Sequence, residues 1–172
     1  MAQHNENIVL LGPPGSGKGT QGRLLVEREG YIEFETGTRL RQIPDPRLQE
    51  ALARGEFAPT SLVMELYRNW MKEQEFTGAS ILSNGIPRGD QADIFLGHVR
   101  EGAYGCDALI WLDAPEDVLM ERLGGRRTCD DCNAIYHDQN RPSKEPGVCD
   151  ECGGRLSLRA DDITPGAPER RI

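Results

Sequence analysis

Four short apolar runs alternate with longer stretches of helical periodicity along this chain, and that rhythm predicts a parallel sheet wrapped by helices. Ile8-Val9-Leu10-Leu11 reads as the first strand and residues 18–29 as the helix that follows it. Further strands are expected at 31–34, 79–82 and 108–112. A polar helical region containing prolines is expected over 39–54. A clearer amphipathic helix covers 61–73, with Leu62, Met64, Leu66 and Trp70 on or near its apolar side. Residues 91–100 and 115–123 complete the helices, the latter opened by Ala114-Pro115 with acids in its first turn.

The rhythm breaks at about residue 128. From there to about 158 the chain is rich in Cys, Gly and Asp and poor in apolar side chains, so it could not fold alone without help. Four of the five cysteines lie in this insert, as Cys129-Asp-Asp-Cys132 and Cys149-Asp-Glu-Cys152, with sixteen residues between the pairs. Two CxxC knuckles at this separation suit a tetrahedral thiolate site for structural zinc. The alternatives are a disulfide pair or a redox CxxC. The intracellular setting expected for this chain disfavours the first, and the duplication disfavours the second. Cys106 stands apart beside an apolar strand and is expected to be a buried structural residue.

A length of 172 residues suits one core and a small appended module. No stretch is long enough to span a bilayer, and the polar residues 1–7 predict no leader, so a cytoplasmic chain is expected. A net charge of -8 argues against a nucleic-acid binder. Any polyanionic ligand must therefore be held by a local cluster of Lys and Arg.

One loop supplies such a place. Gly12-Pro-Pro-Gly-Ser-Gly-Lys-Gly-Thr-Gln21 follows the first strand and opens the first helix. Gly12, Gly15 and Gly17 let the backbone curl until successive N–H groups point at one anion. The helix N-terminus adds its positive end, and Lys18 can reach the outer phosphates. Ser16 and Gly19 complete the run. The hydroxyl follows at Thr20, one place later than in the common pattern. A Gly-rich turn that binds nothing is the alternative, disfavoured by the strand, the spacing and the lysine together.

Ligands of parallel sheets bind at the carboxyl ends of the strands. Besides the phosphate loop, residues 36–41 and 85–88 lie there. Arg41, Arg88, Arg122, Arg126, Arg159 and Arg170 follow such loops or flank the cysteine insert. Each alone reads as a solvated charge. Together they suit phosphoryl transfer, in which fork-shaped donors grip a group whose charge spreads over several oxygens.

The chain resembles the adenylate kinases, specifically the long bacterial type with a zinc-binding lid. The phosphate loop, Glu35-Thr-Gly-Thr-Arg-Leu-Arg41, Gly85-Ile-Pro-Arg88 with Gln91-Ala92, Glu121-Arg-Leu123 with Gly125-Arg-Arg127, and Leu158-Arg-Ala-Asp-Asp162 carry the likeness. It implies an α/β fold: a P-loop doubly wound parallel sheet with a helical NMP-binding insert and a small zinc-knuckle lid. The implied division is a core of residues 1–35, 76–126 and 161–172, an acceptor insert of 36–75 and a lid of 127–160. The implied reaction is reversible Mg²⁺-dependent transfer of a phosphoryl group from ATP to AMP, giving two ADP, in a monomer. UMP or CMP as acceptor, or a nucleotide-binding relative without catalysis, are the other readings.

Roles follow residue by residue. The resemblance implies that Gly12, Gly15, Ser16, Gly17, Lys18, Gly19 and Thr20 hold the donor phosphates and that Arg122 binds the donor nucleotide. Thr36, Arg41, Gly85, Arg88 and Gln91 are implied to hold the acceptor, with Gln91 reading its adenine. Lys18, Arg88, Arg126, Arg159 and Arg170 form the implied catalytic set, with Asp161 and Asp162 fastening the lid. His137 is expected to pack in the lid rather than bind metal. Asn84 and Thr38 stand where the family usually has aspartates that orient Mg²⁺ through its waters, so weaker metal affinity is expected. The sequence ends at Ile172, where the resemblance implies several tens of further residues. Two prolines within 163–168 stand where it implies a continuous helix.

Overall fold

The computed structural model describes residues 6–74, 78–169 and 171. Four parallel strands form the main sheet: β1 (Asn7–Leu11), β2 (Ile32–Glu35), β3 (Ile81–Asn84) and β4 (Ala108–Trp111), in the order β2-β3-β1-β4. The chain leaves β1 for the far edge, returns through β3, then crosses to β4. The switch point therefore lies between β1 and β3, where Leu10 pairs with Asn84 and the Gly85 N–H donates to the Leu10 carbonyl at 3.2 Å. That register sets Gly12, where the phosphate loop starts, beside the Gly85 loop.

Helices cover both faces. Helix α1 (Lys18–Glu29) lays Leu25 and Val26 on Leu10, Tyr31 and Leu82. Ser83, the next residue along β3, points the other way and meets the Tyr67 hydroxyl at 2.8 Å. Tyr67 and Trp70 belong to α4 (Thr60–Gln74) and Phe95 to α5 (Gln91–Arg100). With Phe34 and Tyr104 they form an aromatic cluster, Phe34 and Tyr104 each meeting Tyr67 edge-on at 5.0 and 4.9 Å. Burial pushes the Tyr67 hydroxyl up to about 12. The doubly wound sheet expected from the sequence is present.

Four local features differ from the sequence expectation. The polar region after β2 is two helices, α2 (Thr36–Arg41) and α3 (Pro46–Ala53). Pro44 and Pro46 disfavour helix at the residues before them, and Asp45 caps α3 by accepting the N–H groups of Arg47 and Leu48. The buried face of α4 is Val63, Met64, Tyr67 and Trp70, with Leu62 and Leu66 only half-buried. Cys106 is also half-buried, in the loop before edge strand β4. Finally, the cysteine-rich insert contains strands.

Those strands are β5 (Arg126–Cys129), β6 (Ile135–His137) and β7 (Leu156–Ser157), an antiparallel sheet in the order β6-β5-β7. They follow α6 (Glu116–Gly124) and precede the single turn α7 (Ala160–Ile163). The buried centre of this sheet is Cys129, Ala134, Tyr136 and Cys149, with Leu156 packed on it. The turns of the two knuckles match. Asn133 and Gly153, each four residues after the first cysteine of its pair, have φ of 60° and 76° and return an N–H to that cysteine's carbonyl. By internal contacts the chain divides into one unit of residues 1–12, 17–42 and 58–113 and another of 13–16, 43–57 and 114–172.

Candidate functional site

The phosphate loop begins where β1 ends. Gly12, Gly15 and Gly17 have φ of 139°, 83° and 103°, all in the region that L side chains avoid. Gly15 is constrained a second time, because a Cβ there would lie 3.1 Å from the Leu119 carbonyl of α6. Gly17 is the N-cap of α1, with no side chain across the helix end. Lys18 Nζ donates to the Gly12 carbonyl at 2.7 Å, which folds the ammonium back over the loop. Arg122 Nη1 donates to the Gly15 carbonyl at 3.1 Å.

The expected acceptor residues also come together, at the carboxyl ends of β2 and β3. Thr36 opens α2 and its Oγ1 donates to the Asn84 carbonyl at 3.1 Å, both residues being buried. A Cβ on Gly85 would lie 3.8 Å from both Arg88 Nη2 and Thr36 Oγ1. Those contacts leave the Gly85 turn, φ 81°, lined by a guanidinium on one side and a hydroxyl on the other. The buried Gln91 accepts the Arg88 N–H through Oε1 at 3.1 Å, which ties the start of α5 to the loop. One turn into α2, the Arg41 guanidinium lies over Gly37 and donates from Nη2 to Thr38 Oγ1 at 3.4 Å. Two guanidiniums, a hydroxyl and a buried amide at neighbouring strand ends suit a small anion attached to a hydrogen-bonding base.

The neutral residues in this region have carboxylates behind them. Asn84 Nδ2 donates to Glu33 Oε1 at 2.8 Å, and Thr38 Oγ1 donates to Glu35 Oε2. Glu33 lies against α1 at Gly22, where a Cβ would meet its Oε1 and the carboxylate would have to shift to make room. Burial raises the Glu33 pKa above the ordinary carboxylate value, the Asn84 amide opposes that, and Glu35 adds to it. Periodicity could not reveal these glutamates as partners, although Glu33-Phe34-Glu35 alternates as a half-buried strand should.

In the second unit, Arg126 forks onto Asp162, with Nε at 2.7 Å from Oδ2 and Nη2 at 2.5 Å from Oδ1. The Asp162 side chain is fully buried there. Arg171, which no sequence motif marks, joins them, with Nη1 2.8 Å from Asp161 Oδ2 and 3.4 Å from Asp162 Oδ1. Arg159 Nε donates to Thr128 Oγ1 at 3.0 Å. Arg170 lies outside the described residues.

Cys129, Cys132, Cys149 and Cys152 bring their sulfurs within 4.8 Å of one another. Tetrahedral zinc with Zn–S bonds of about 2.3 Å needs sulfurs roughly 3.8 Å apart, so this donor set fits the ion. Backbone N–H groups support the sulfurs: Ala134 at Cys132, Glu151 and Cys152 at Cys149, Gly154 at Cys152. Burial raises the Cys149 thiol, but the Tyr136 hydroxyl and those N–H groups outweigh it and bring it down to about 6. His137 stands outside the cluster. Its Nδ1 accepts the N–H groups of Gln139 and Asn140 at 3.1 Å, and its ring covers Gly125, where a Cβ would come within 2.4 Å.

A glycine-cradled phosphate loop at the switch point of a parallel sheet defines a nucleotide-binding α/β protein. The family model described as Adenylate kinase matches residues 10–151. The adenylate kinase of Paracoccus denitrificans is 38% identical over 164 residues, which are 91% of this chain and 74% of that protein. That of Thermodesulfovibrio yellowstonii is 40% identical over 162 residues, 90% of this chain and 75% of its own length. That of Clostridium tetani is 35% identical over 171 residues, 95% of this chain and 79% of its own. The chain belongs to the adenylate kinase family.

Proposed function

We propose that this chain transfers a phosphoryl group reversibly between ATP and AMP, yielding two ADP. The observation that carries the reading is the gathering of Thr36, Gly85, Arg88 and Gln91 beside β1, the strand from which the phosphate loop starts. Such a reaction needs no protein nucleophile. Positioning and neutralisation of the phosphoryl oxygens supply the catalysis. Lys18 and the loop N–H groups hold the donor phosphates, while Arg41 and Arg88 hold the acceptor phosphate. Arg122, Arg126, Arg159 and Arg170 are assigned to the charge of donor and transferred group. In this reading residues 36–75 are the acceptor insert and 127–160 a lid that excludes water.

Two metals accompany the reading. Zinc on the four cysteines is structural, because four thiolates leave no open coordination position. Magnesium entering with ATP would neutralise the phosphate charge and keep most of its water shell. Asn84, Thr38 and Thr20 offer oxygens toward such a shell, and Glu33 and Glu35 stand behind the first two. Four cysteines kept as thiolates suit a cytoplasmic setting, and among the described residues no helix is long and apolar enough to cross a membrane. A monomer acting on free nucleotides needs no nucleic-acid partner.

A coupled assay against AMP, UMP and CMP, with Lys18→Met as control, tests the proposal. Turnover strongest with AMP and abolished by the control is expected. No transfer to any monophosphate from the zinc-loaded protein would overturn it.

A further inference from the structure

The four sulfurs of the knuckle pair are not equally placed. Cys132 and Cys152 are exposed, and water can reach them. Cys129 and Cys149 are buried, so a thiolate at either must take its hydrogen bonds from the protein. Cys149 receives two from backbone N–H groups of its own knuckle. A third group comes from outside that knuckle. The Tyr136 hydroxyl, from the middle of β6, stands 3.6 Å from Cys149 Sγ. The same oxygen accepts the N–H of Asp150 at 2.8 Å.

The second contact fixes the sense of the first. A phenol has one hydrogen to give, and the Asp150 N–H already uses the oxygen as acceptor. The remaining hydrogen is free for the sulfur, and a metal-bound thiolate has none to offer in return. Tyr136 itself is buried, so no water competes for this hydrogen. Its ring is held independently, with the Arg141 guanidinium 5.4 Å above it while Arg141 Nη1 donates to the neighbouring Ile135 carbonyl.

We infer that Tyr136 is a positioning residue of the metal centre, donating its hydroxyl hydrogen to the Cys149 thiolate and tying the second knuckle to strand β6. Four thiolates on a divalent ion carry an excess negative charge, which is most costly at a buried sulfur. The phenol offsets part of it, which lowers the electron density on that sulfur and slows its exchange with competing ligands. The tie also crosses the fold. Tyr136 pairs with Arg127 on β5, the strand that begins at Arg126 and ends at Cys129. The tie therefore joins the second knuckle to β6, a neighbour of the strand that bears Arg126.

This inference rests on the zinc reading, and the experiment separates the two. The full chain is loaded with Co²⁺ or Zn²⁺ and compared with Tyr136→Phe, which keeps the ring and removes only the hydroxyl. The thiolate-to-cobalt charge-transfer band is expected to move to lower energy in the variant, because an undamped sulfur gives up its electron more easily. Zinc affinity in competition with a chelator is expected to fall by about ten- to a hundredfold, the usual effect of losing an outer partner of a metal ligand, and zinc release to quicken. The Asp150 amide should lose protection against hydrogen exchange. Fluorotyrosine placed at 136, a stronger donor, should move the band the other way, and it carries the test should the Phe variant fail to fold. An unmoved band and unchanged release in the variants would overturn the inference and leave the zinc reading standing. A parent that takes up neither metal would overturn both.

Discussion

Asn84 gives a hydrogen from Nδ2 to Glu33 Oε1 across 2.8 Å, between the adjacent parallel strands β3 and β2. The resemblance to the family implies an aspartate at position 84, and its absence taken alone implies a weaker hold on magnesium. The pair changes that inference, because a carboxylate is still present one strand away, with its orientation set by the amide. An aspartate at 84 would face Glu33 at hydrogen-bond distance, and two carboxylates so close cannot both ionise. Asn84→Asp is therefore expected to lower stability by about 1–3 kcal/mol, the usual cost of breaking a buried polar pair. It should not reduce the Mg²⁺ concentration needed for turnover at neutral pH. The double variant Glu33→Gln/Asn84→Asp, with one amide and one carboxylate again in contact, should recover stability and lower the Mg²⁺ requirement. Denaturant unfolding and Mg²⁺ titration of activity decide this, and a single variant as stable as the parent would refute it.

The same glutamate makes stability depend on pH. Its folded pKa is raised above the ordinary value near 4.5, chiefly by burial. Between those two values the folded chain holds a proton that the unfolded chain has released, so stability falls as pH rises through that window. Glu33→Gln carries no such proton. The difference in urea midpoint, parent minus variant, should therefore be largest at low pH, shrink as pH climbs past 4.5, and flatten above the raised value. A difference that grows with pH would mean that the Asn84 bond outweighs burial.

The zinc knuckles carry the next expectation. With only Cys129, Ala134, Tyr136 and Cys149 buried at its centre, the β5–β7 sheet lacks the apolar area to hold itself together. The purified chain should hold about one zinc, and Cys149→Ser should lose it. Limited proteolysis is then expected to cut within 127–160 while the parallel sheet stays folded. Loss of the whole fold at once would place the metal in the stability of both units.

These features differ in how far they could be read from the sequence, and the reason is range. The phosphate loop and the two knuckles are written in contiguous residues, since a backbone that curls around an anion or a metal needs its glycines and ligands at fixed short spacing. The Glu33–Asn84 pair joins residues 51 apart and the Arg126–Asp162 fork residues 36 apart. The first exists only once strand order is known, and the second only once α7 has returned to the start of β5. The break between α2 and α3 was legible in principle, because Asp45-Pro46 is a helix start. The two- to four-residue strands of the insert were not, because turn geometry at Asn133 and Gly153, rather than hydrophobic alternation, brings them together. The face of α4 was legible in part: Met64 and Trp70 are buried as expected, but Leu62 and Leu66 match the helical period as well as the buried Val63 and Tyr67 do. Contacts with Phe34 and Ser83 turn Tyr67 inward.

Arg41 and Arg88 separate the two nucleotides. Arg88 lies in the loop that follows β3, and Arg41 ends α2 with its guanidinium over Gly37, so both belong to the segments that follow β3 and β2 rather than to the phosphate loop. Each should contribute a charge-assisted hydrogen bond to the acceptor phosphate and little to ATP. Losing one costs about 1.5–3 kcal/mol, roughly ten- to a hundredfold in affinity. Arg88→Ala and Arg41→Ala are therefore expected to raise the KM for AMP by that factor and leave the KM for ATP within about twofold. Lysine in place of Arg88 should recover only part of the loss, because a point charge cannot grip two oxygens at once. The Arg88 N–H also fixes Gln91, and that bond survives side-chain truncation, so discrimination among AMP, UMP and CMP should persist in Arg88→Ala while affinity for all three falls together. Steady-state kinetics with each nucleotide varied in turn supplies the measurement. Equal losses for AMP and ATP would mean that these arginines do not mark a separate acceptor site.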